Sequence, residues 1–556
     1  MHPFPEQPYA DRIAGDEAVA ELRRFLMPRI DPALVDASRR LPDGFIDVLR
    51  EAGYLNLLTP RDLGGRGLSP YNTFRVIEAA ATWSVPVGST MAVQAAIGAE
   101  AYLQAVPPGP LLDLLRRSVA SRRVSGTADT EPMGAANQRR WTTATPIEDG
   151  AAYRLTGEKI HIGNGPIAEL LAVTATVVEQ DREVTRLFFV DTSTPGFRVK
   201  SRHEFMGLKG FPNAALTFDD VRVPRERVLI EPTQDRLTPS LGTALLRGRL
   251  YLIAAPSLAI ARSCLAYSRD FVRRRSIDGR SLGGYEAIQR IVACSLADTF
   301  AIEAVADWNL LADQDRTVSV RIDQVAAKNM TSVTCWRVVE RTMSLLAAEG
   351  FETAESKLRR GAPPLGLERL FRDARGLRIS GGVDFQIDNW TAQFSVLGCH
   401  YQAPEVSGPD DVDPDALASI CARLSGENRA HASFATDQAA ALGRTCRELA
   451  RRHARAALFE REWLLISLAR LANEILTMCL VLARAARFDG DSAADAQALA
   501  HIYCRAARRR VATLWAYVTD SQEPEHARVS DRWLHDSPTF DFLLRDVLTP
   551  EPILAN

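Results

Sequence analysis

Lysine is nearly missing from this chain: five of its 67 basic residues are Lys and the rest are Arg. Such a skew can follow genome base composition as well as chemistry, and by itself it assigns no function. The eight cysteines stand far apart, with none before Cys264 and no CxxC pair, which excludes a disulfide framework and the usual zinc spacings. They read as reduced, buried thiols of a cytoplasmic protein. The nine histidines form no HxxH or HExxH pair, so no metal site is suggested. The opening residues, MHPFPEQPYADRIAGDE, carry no basic stretch leading into an apolar run, and no signal peptide is expected. The most apolar stretch, WLLISLARLANEILTMCLVLARAARF from Trp463, is broken by Arg470, Asn473, Glu474 and Arg484. It falls short of the ~20 uninterrupted apolar residues of a membrane span and reads as a buried helix. Charge of one sign is absent as well: 67 basic residues face 69 acidic ones, a net of −2. That balance excludes a basic nucleic-acid coat or an acidic disordered tail as the main identity.

What remains is an ordinary globular composition, 46% apolar and 24% charged over 556 residues, enough for about three or four domains. Residues 1–123 read as helical: EAVAELRRFLMPRI and GFIDVLREAG place apolar residues three and four apart, and Gly53 stands where a helix would stop. From 124 to 236, short β-type runs (YRLTGEKIHI, LLAVTATVV, TRLFFVD, FRVKS, AALTFDDVRV) alternate with Gly, Pro, Asn and Asp, as in a compact antiparallel β domain. Residues 237–402 turn helical again, and APEVSGPDDVDPDA inside 403–420 has the polar, Pro-rich character of a linker. A further helical domain is expected over 421–556. The fold class is α+β, mainly α.

Five segments, in order, carry a resemblance. DTEPMGAAN (Asp129–Asn137) is similar to a TEPxxGSD loop, and GEKIHIGNG (Gly157–Gly165) to a GxKxWITNG strand. FMGLKGFPNAALTFDDVRVPRERVL from Phe205 resembles the exit from a β domain. RRRSIDGRSL (Arg273–Leu282) resembles an RxxFGxPL turn, and RLFRDARGLRI (Arg369–Ile379) an RDAR segment. Together they resemble the acyl-CoA dehydrogenase family over residues 15–400, and the C-terminal extension resembles that of its very-long-chain members. The resemblance implies FAD held between a middle β domain and a helical bundle, and a homodimer. It places the cofactor against Thr127, Asp129, Thr130, Ala136, His161, Ile162, Gly163 and Val383, with Arg275 at the pyrophosphate and Gly350 near the partner subunit's FAD. The residues agree with this: the loop into Thr130 can offer an N–H and a hydroxyl together, and an Arg suits a pyrophosphate. Arg275 could also be a solvated Arg and Gly350 a helix C-cap.

The departures concern the chemistry. The family's dehydrogenation uses a Glu to remove the α-proton of an acyl thioester while a hydride leaves the β carbon. At the usual station after RDAR this chain has Gly381, and at the alternative station, before the Arg that opens the helical bundle, it has Gly248. The Trp and Thr of WIT match His161 and Gly163, the Ser-Asp of the loop matches Ala136-Asn137, and the QxxGGxG helix end reads SLLAAEG from Ser344. His161 is either a general acid or base facing the flavin or a histidine filling the Trp volume. Asp384 is a candidate replacement base or a solvated turn residue; Glu349 and Glu286 are weaker candidates.

Three readings follow. A β-keto acid could form its own carbanion by losing CO2, with O2 as a further co-substrate, as in the epoxyketone synthases of natural-product pathways, which are extended relatives of the family. An ordinary α,β-dehydrogenation of a CoA- or carrier-bound acyl group could use Asp384. A flavin-retaining, non-catalytic or DNA-binding relative would need a basic face. Arg444, Arg447, Arg451, Arg452 and Arg455, then Arg505 and Arg508 to Arg510, are the clusters to consider, and Glu448, Glu460 and Glu462 dilute the first. The expectation is a cytoplasmic flavin oxidoreductase acting on a small acyl or β-keto substrate, with no membrane, nucleic acid or metal.

Overall fold

The computed structural model describes residues 3–546 apart from 135, 138, 232–238, 313–320, 403–413, 521–523 and 536–537. The chain begins with helices. In α1 (Tyr9–Leu26) the residues four apart, Ala18, Leu22 and Leu26, all turn inward. Ser69 caps α2 (Pro70–Trp83), its hydroxyl accepting from the Asn72 amide at 3.1 Å, and Pro70 occupies the first turn where no donor is missed. α3 (Val85–Ile97) has no charged residue and is buried on every side through Ala96.

The middle of the chain is an eight-stranded sheet ordered β6-β7-β3-β2-β4-β5-β8, with β1 alongside β4. The strands are β1 (Ser125–Ala128), β2 (Thr143–Ile147), β3 (Ala152–Gly163), β4 (Leu170–Glu179), β5 (Arg182–Asp191), β6 (Phe197–Arg202), β7 (Asn213–Pro224) and β8 (Val228–Leu229). The expected purely antiparallel domain is mixed: β1 runs parallel to β4 from Ser125↔Leu170 to Ala128↔Val173. The reason is that β1 enters from the helical domain rather than from a hairpin. One face holds Leu155, Val173, Phe188, Leu216 and Phe218. The other face of β4 and β5, with Leu170, Ala172, Leu187 and Phe189, packs under Tyr102 and Leu115 of the helical domain. Buried on both faces, β4 reads as a continuous apolar run.

Then α4 (Pro239–Gly248) passes through a wider π turn (Arg249–Ala254) into α5 (Ala255–Arg274), followed by α6 (Glu286–Leu311) and α7 (Arg321–Phe351). α8 (Leu367–Leu377) and α9 (Asp384–Thr391) close this bundle. Within the expected linker, residues 403–413 lie outside the described residues, and Pro414–Ala422 is helical. The extension is built on α10 (Gly426–Arg452), α11 (Glu462–Ala485) and α12 (Asp491–Thr519). Pro239–Arg274 and Glu462–Ala485 are each long and apolar enough to cross a membrane, and most of that apolar length is packed inside. Only the second stands out in the sequence. Within the arginine clusters, Arg510 pairs with Glu474 at 2.7 Å, Arg508 covers the Phe434 ring and Arg452 pairs with Glu448, while Arg444, Arg451, Arg455, Arg505 and Arg509 are exposed.

A buried ionic chain fastens the extension to the rest. Arg484 of α11 reaches Asp307 at 3.1 Å and Glu303 at 2.8 Å on α6. Asp307 accepts from the Tyr71 hydroxyl at 2.7 Å, and Arg262 of α5 joins Glu303 to Glu78 of α2. Burial pushes the Glu78 carboxyl up to about 7, against the pull of Arg262. Truncating a buried partner strands the charges it leaves behind. Arg484→Met is therefore expected to cost about 3–5 kcal/mol in denaturant unfolding, whereas Glu448→Gln in the exposed Arg452 pair leaves the midpoint unchanged.

Candidate functional site

Two buried charge pairs shape the loop between β1 and β2. Lys159 of β3 is fully buried, and its Nζ donates to Glu131 Oε1 at 2.7 Å, the Asp129 carbonyl at 3.2 Å and Thr174 Oγ1 at 3.1 Å. Glu131 also accepts from the Trp141 amide at 2.6 Å and the Thr142 amide at 2.9 Å. Beside it Asp129 takes both arms of Arg140, at 2.8 and 3.0 Å, and the Thr174 hydroxyl at 2.7 Å. Burial pushes both carboxyls up, but Lys159, and Arg140 on Asp129, outweigh it, so both sit below the ordinary carboxylate range. The Asp129 side chain is thus spent on the scaffold. The Thr127 hydroxyl also points away, donating to the Ile97 carbonyl at 2.7 Å. What the loop presents outward is Thr130: its carbonyl accepts from the Ile160 amide at 2.9 Å, while its N–H and hydroxyl have no partner among the described residues.

His161 faces outward because the β3–β7 ladder slips between Lys159 and Ile162. Strict alternation would bury 159 and 161 together; the bulge changes the parity, so Lys159 and Ile162 point in and His161 is exposed at φ 57°. Its ring lies 4.7 Å from the His203 ring, and its N–H donates to His203 Nε2 at 3.2 Å. Burial and the neighbouring His161 pull His203 down, in keeping with an accepting, neutral ring. Behind His161 stand His203, which lies outside the five motif segments, and Phe205, which opens the third; only the fold brings them to His161. Gly163 is the other departure with a physical reason: a Cβ there would stand 3.0 Å from Phe211 Cζ and Val93 Cγ2. Phe211 fills the space a Thr would need. Ala136 lies exposed in the loop.

Arg275 and Gly350 come together elsewhere, at the far end of α5. Arg274 and Arg275 both bond Glu349, and the Lys357 ammonium donates to the Glu349 carbonyl at 2.9 Å. Burial raises the Glu349 carboxyl, but the two arginines hold it below its usual value. Arg274 also pairs with Asp270 at 2.9 Å, so two guanidiniums face two carboxylates, and Arg275 remains half exposed. Gly350 is not an open cap: a Cβ would stand 3.1 Å from Leu367 Cδ2 and Leu346 Cβ. Just before it, Ala347 breaks the helix with φ 48°, a conformation a glycine takes more easily.

The third group surrounds the two glycine stations. Gly381 turns at φ +69° with nothing within 4 Å of a Cβ, and Val383 precedes α9 in extended conformation. Gly248 faces Ile97 Cγ2 at 3.5 Å. Asp384, the candidate base, is buried: Arg378 bonds one oxygen and the Phe385 amide donates to the other at 2.9 Å. Burial would raise its carboxyl, but Arg378 holds it below the ordinary range, the opposite of what a general base needs. Sequence reasoning passed over Lys159, Lys328 and Lys357. Their signal was scarcity, since three of only five lysines are fully buried.

These residues fit FAD. A flavin needs flat neighbours for its rings and main-chain donors at its polar edge. His161 with its aromatic backing, and Thr130, supply both on one face, while the half-exposed Arg275 guanidinium can donate to a pyrophosphate.

Comparison with known proteins agrees along the chain. Acyl-CoA dehydrogenase N-terminal, middle and C-terminal domain models match residues 16–106, 126–221 and 240–386, and the ACAD9/ACADV C-terminal domain matches 427–531. Probable acyl-CoA dehydrogenase FadE10 of Mycobacterium tuberculosis is 31% identical over 386 residues, 69% of this chain and 59% of that protein. The mitochondrial very long-chain specific acyl-CoA dehydrogenase of Homo sapiens is 26% identical over 402 residues, 70% of this chain and 58% of its own length. The chain thus spans under two thirds of the length of these relatives. In structure it resembles an acyl-CoA dehydrogenase complexed with FAD from Bacillus anthracis, with TM-score 0.75, 16% identity, and 94% and 90% of the two chains covered.

If the Lys159 pair holds the loop, Lys159→Met strands Glu131 and is expected to cost about 3–5 kcal/mol in denaturant unfolding. Flavin content, read from the visible absorbance of purified protein, should fall with it. Lys200→Met, in the exposed pair with Glu158, should change neither.

Proposed function

The chain belongs to the acyl-CoA dehydrogenase family, and we propose that it is an FAD-dependent oxidoreductase whose substrate, rather than a protein carboxylate, generates the carbanion. The substrate class is a β-keto acid. Its carboxylate leaves as CO2, and the electron pair of the broken bond remains as an enolate. Loss of a hydride from the β carbon turns the enolate into an enone. When bound, FAD supplies the acceptor for that hydride. In the further step, enone, O2, the hydride just removed and one proton from solvent give an epoxide and water.

The observation that carries this reading is the state of the proton-acceptor stations. Gly381 and Gly248 offer no side chain, and Asp384, three residues after Gly381, is neutralised by Arg378 and tied to a backbone amide. The chain's own work is to bind and orient. Thr130 offers an N–H and a hydroxyl, and His161, braced by His203, offers a ring at an exposed edge. Among the described residues Arg275 and Gly350 have their contacts within the helical bundle, Arg275 offering a guanidinium to a pyrophosphate and Gly350 standing where the family resemblance expects the partner's FAD in a homodimer.

The test is direct. FAD-loaded protein mixed anaerobically with a β-keto acid should bleach and release one CO2 per flavin, and a saturated acyl-CoA should do neither. Isotope-labelled O2 admitted afterwards should enter the product. Bleaching by saturated acyl-CoA that is lost in Asp384→Asn would instead establish the ordinary dehydrogenation.

A further inference from the structure

Arg249 opens the π turn directly after Gly248 and lies deep between α3 and α7, yet part of its side chain remains accessible. Of the five N–H donors of a guanidinium, one is used among the described residues: Nη1 donates to the Val325 carbonyl at 3.2 Å. No carboxylate pairs with it among the described residues, and burial alone pulls the group down to about 10. Behind it stands Lys328, fully buried, whose Nζ has one hydrogen bond, to the Arg378 carbonyl at 2.9 Å. Burial pulls the ammonium down to about 8; Asp384 and Asp388 oppose that, while Arg249 and Arg378 add to it. Every other deeply buried arginine described above has a carboxylate: Arg140 has Asp129, and Arg484 has Asp307. Burying a cation without a counter-charge is costly, and an accessible, under-bonded guanidinium inside a protein is an anion site.

Its position is informative. The Gly248 station lies against Ala96 and Ile97, and the Ile97 carbonyl receives the Thr127 hydroxyl of β1, so Arg249 is one helix away from the flavin-facing loop. On the other side, Lys328 is bonded to residue 378, three residues before the Gly381 station. The two places where a carboxylate could have stood therefore converge on the same two cations.

We propose that Arg249, with Lys328 behind it, forms a carboxylate-binding subsite that takes the free carboxylate of the substrate. This rests on the β-keto acid reading and names the residue that would recognise the acid. A guanidinium can bond a carboxylate and an adjacent keto oxygen at once, so it stays beside the charge as the electron pair moves from one to the other. Lys328 reaches no ligand and serves as a positioning charge.

The test is calorimetric titration of the FAD-loaded protein with β-hydroxyoctanoate, which cannot lose CO2 as a β-keto acid does, and with its methyl ester. The acid should bind at least about tenfold more tightly than the ester. Arg249→Gln should bring the acid down to the level of the ester without weakening the ester, and Arg249→Lys should restore part of the difference. Equal affinity of acid and ester for the unaltered protein, or an equal loss of both in Arg249→Gln, overturns the subsite. The acid-to-ester comparison needs no variant, so it stands even if Arg249→Gln folds poorly. Arg249-dependent acid binding without CO2 release from a β-keto acid would keep the subsite and retire the decarboxylation. Release of CO2 with no preference for the acid would do the reverse.

Discussion

The ammonium of Lys159, closed inside the sheet on Glu131, is the contact on which the site depends. It fixes the β1–β2 loop from below through Asp129 and Glu131, so that Thr130 is the residue left facing outward. It also fixes the parity of β3. With Lys159 committed to the interior and Ile162 to the apolar core, the bulge between them turns His161 outward. A Lys suits this place and an Arg does not: three compact bonds to a carboxylate, a carbonyl and a hydroxyl match an ammonium rather than a planar fork. In a chain that otherwise uses Arg almost exclusively, that geometry gives the rare lysines their meaning.

Around this point the architecture divides the labour. The sheet presents the edge proposed to face the flavin, the bundle supplies Arg249, Gly248 and the Gly381 turn, and the extension is locked on through Arg484. Of the arginines that looked like a basic surface, Arg510 is a half-buried strut on Glu474 and Arg508 lies on Phe434, while Arg444, Arg451, Arg505 and Arg509 stay exposed. The glycines at 248 and 381 also differ from one another. Gly381 sits in a left-handed turn that a longer residue would strain, while Gly248 has ordinary contact distances around it. Only the first is required by its backbone.

Much of this was legible in the sequence. Helical spacing marked α1, an apolar run marked α11, β-type runs marked β3, β5 and β7, and the five ordered motifs carried the family resemblance. What stayed hidden depends on register and on contacts between distant residues. The parallel pairing of β1 with β4 has no local signature. The bulge at His161 is invisible until Lys159 and Ile162 are both known to point inward. Nothing near Asp384 in the sequence says that Arg378, six residues earlier, folds back to neutralise it. Likewise, that Arg249 has no carboxylate partner among the described residues can be recognised only once their acids have been placed.

The account turns on whether any group of this protein removes an α-proton. Incubating the FAD-loaded protein in D2O with a saturated acyl thioester, and with the ketone that decarboxylation would leave, and then following the α-hydrogens by NMR, addresses this directly. The account predicts washout no faster than in buffer alone. Enzyme-dependent deuterium incorporation at the α carbon would reveal a working base and contradict it.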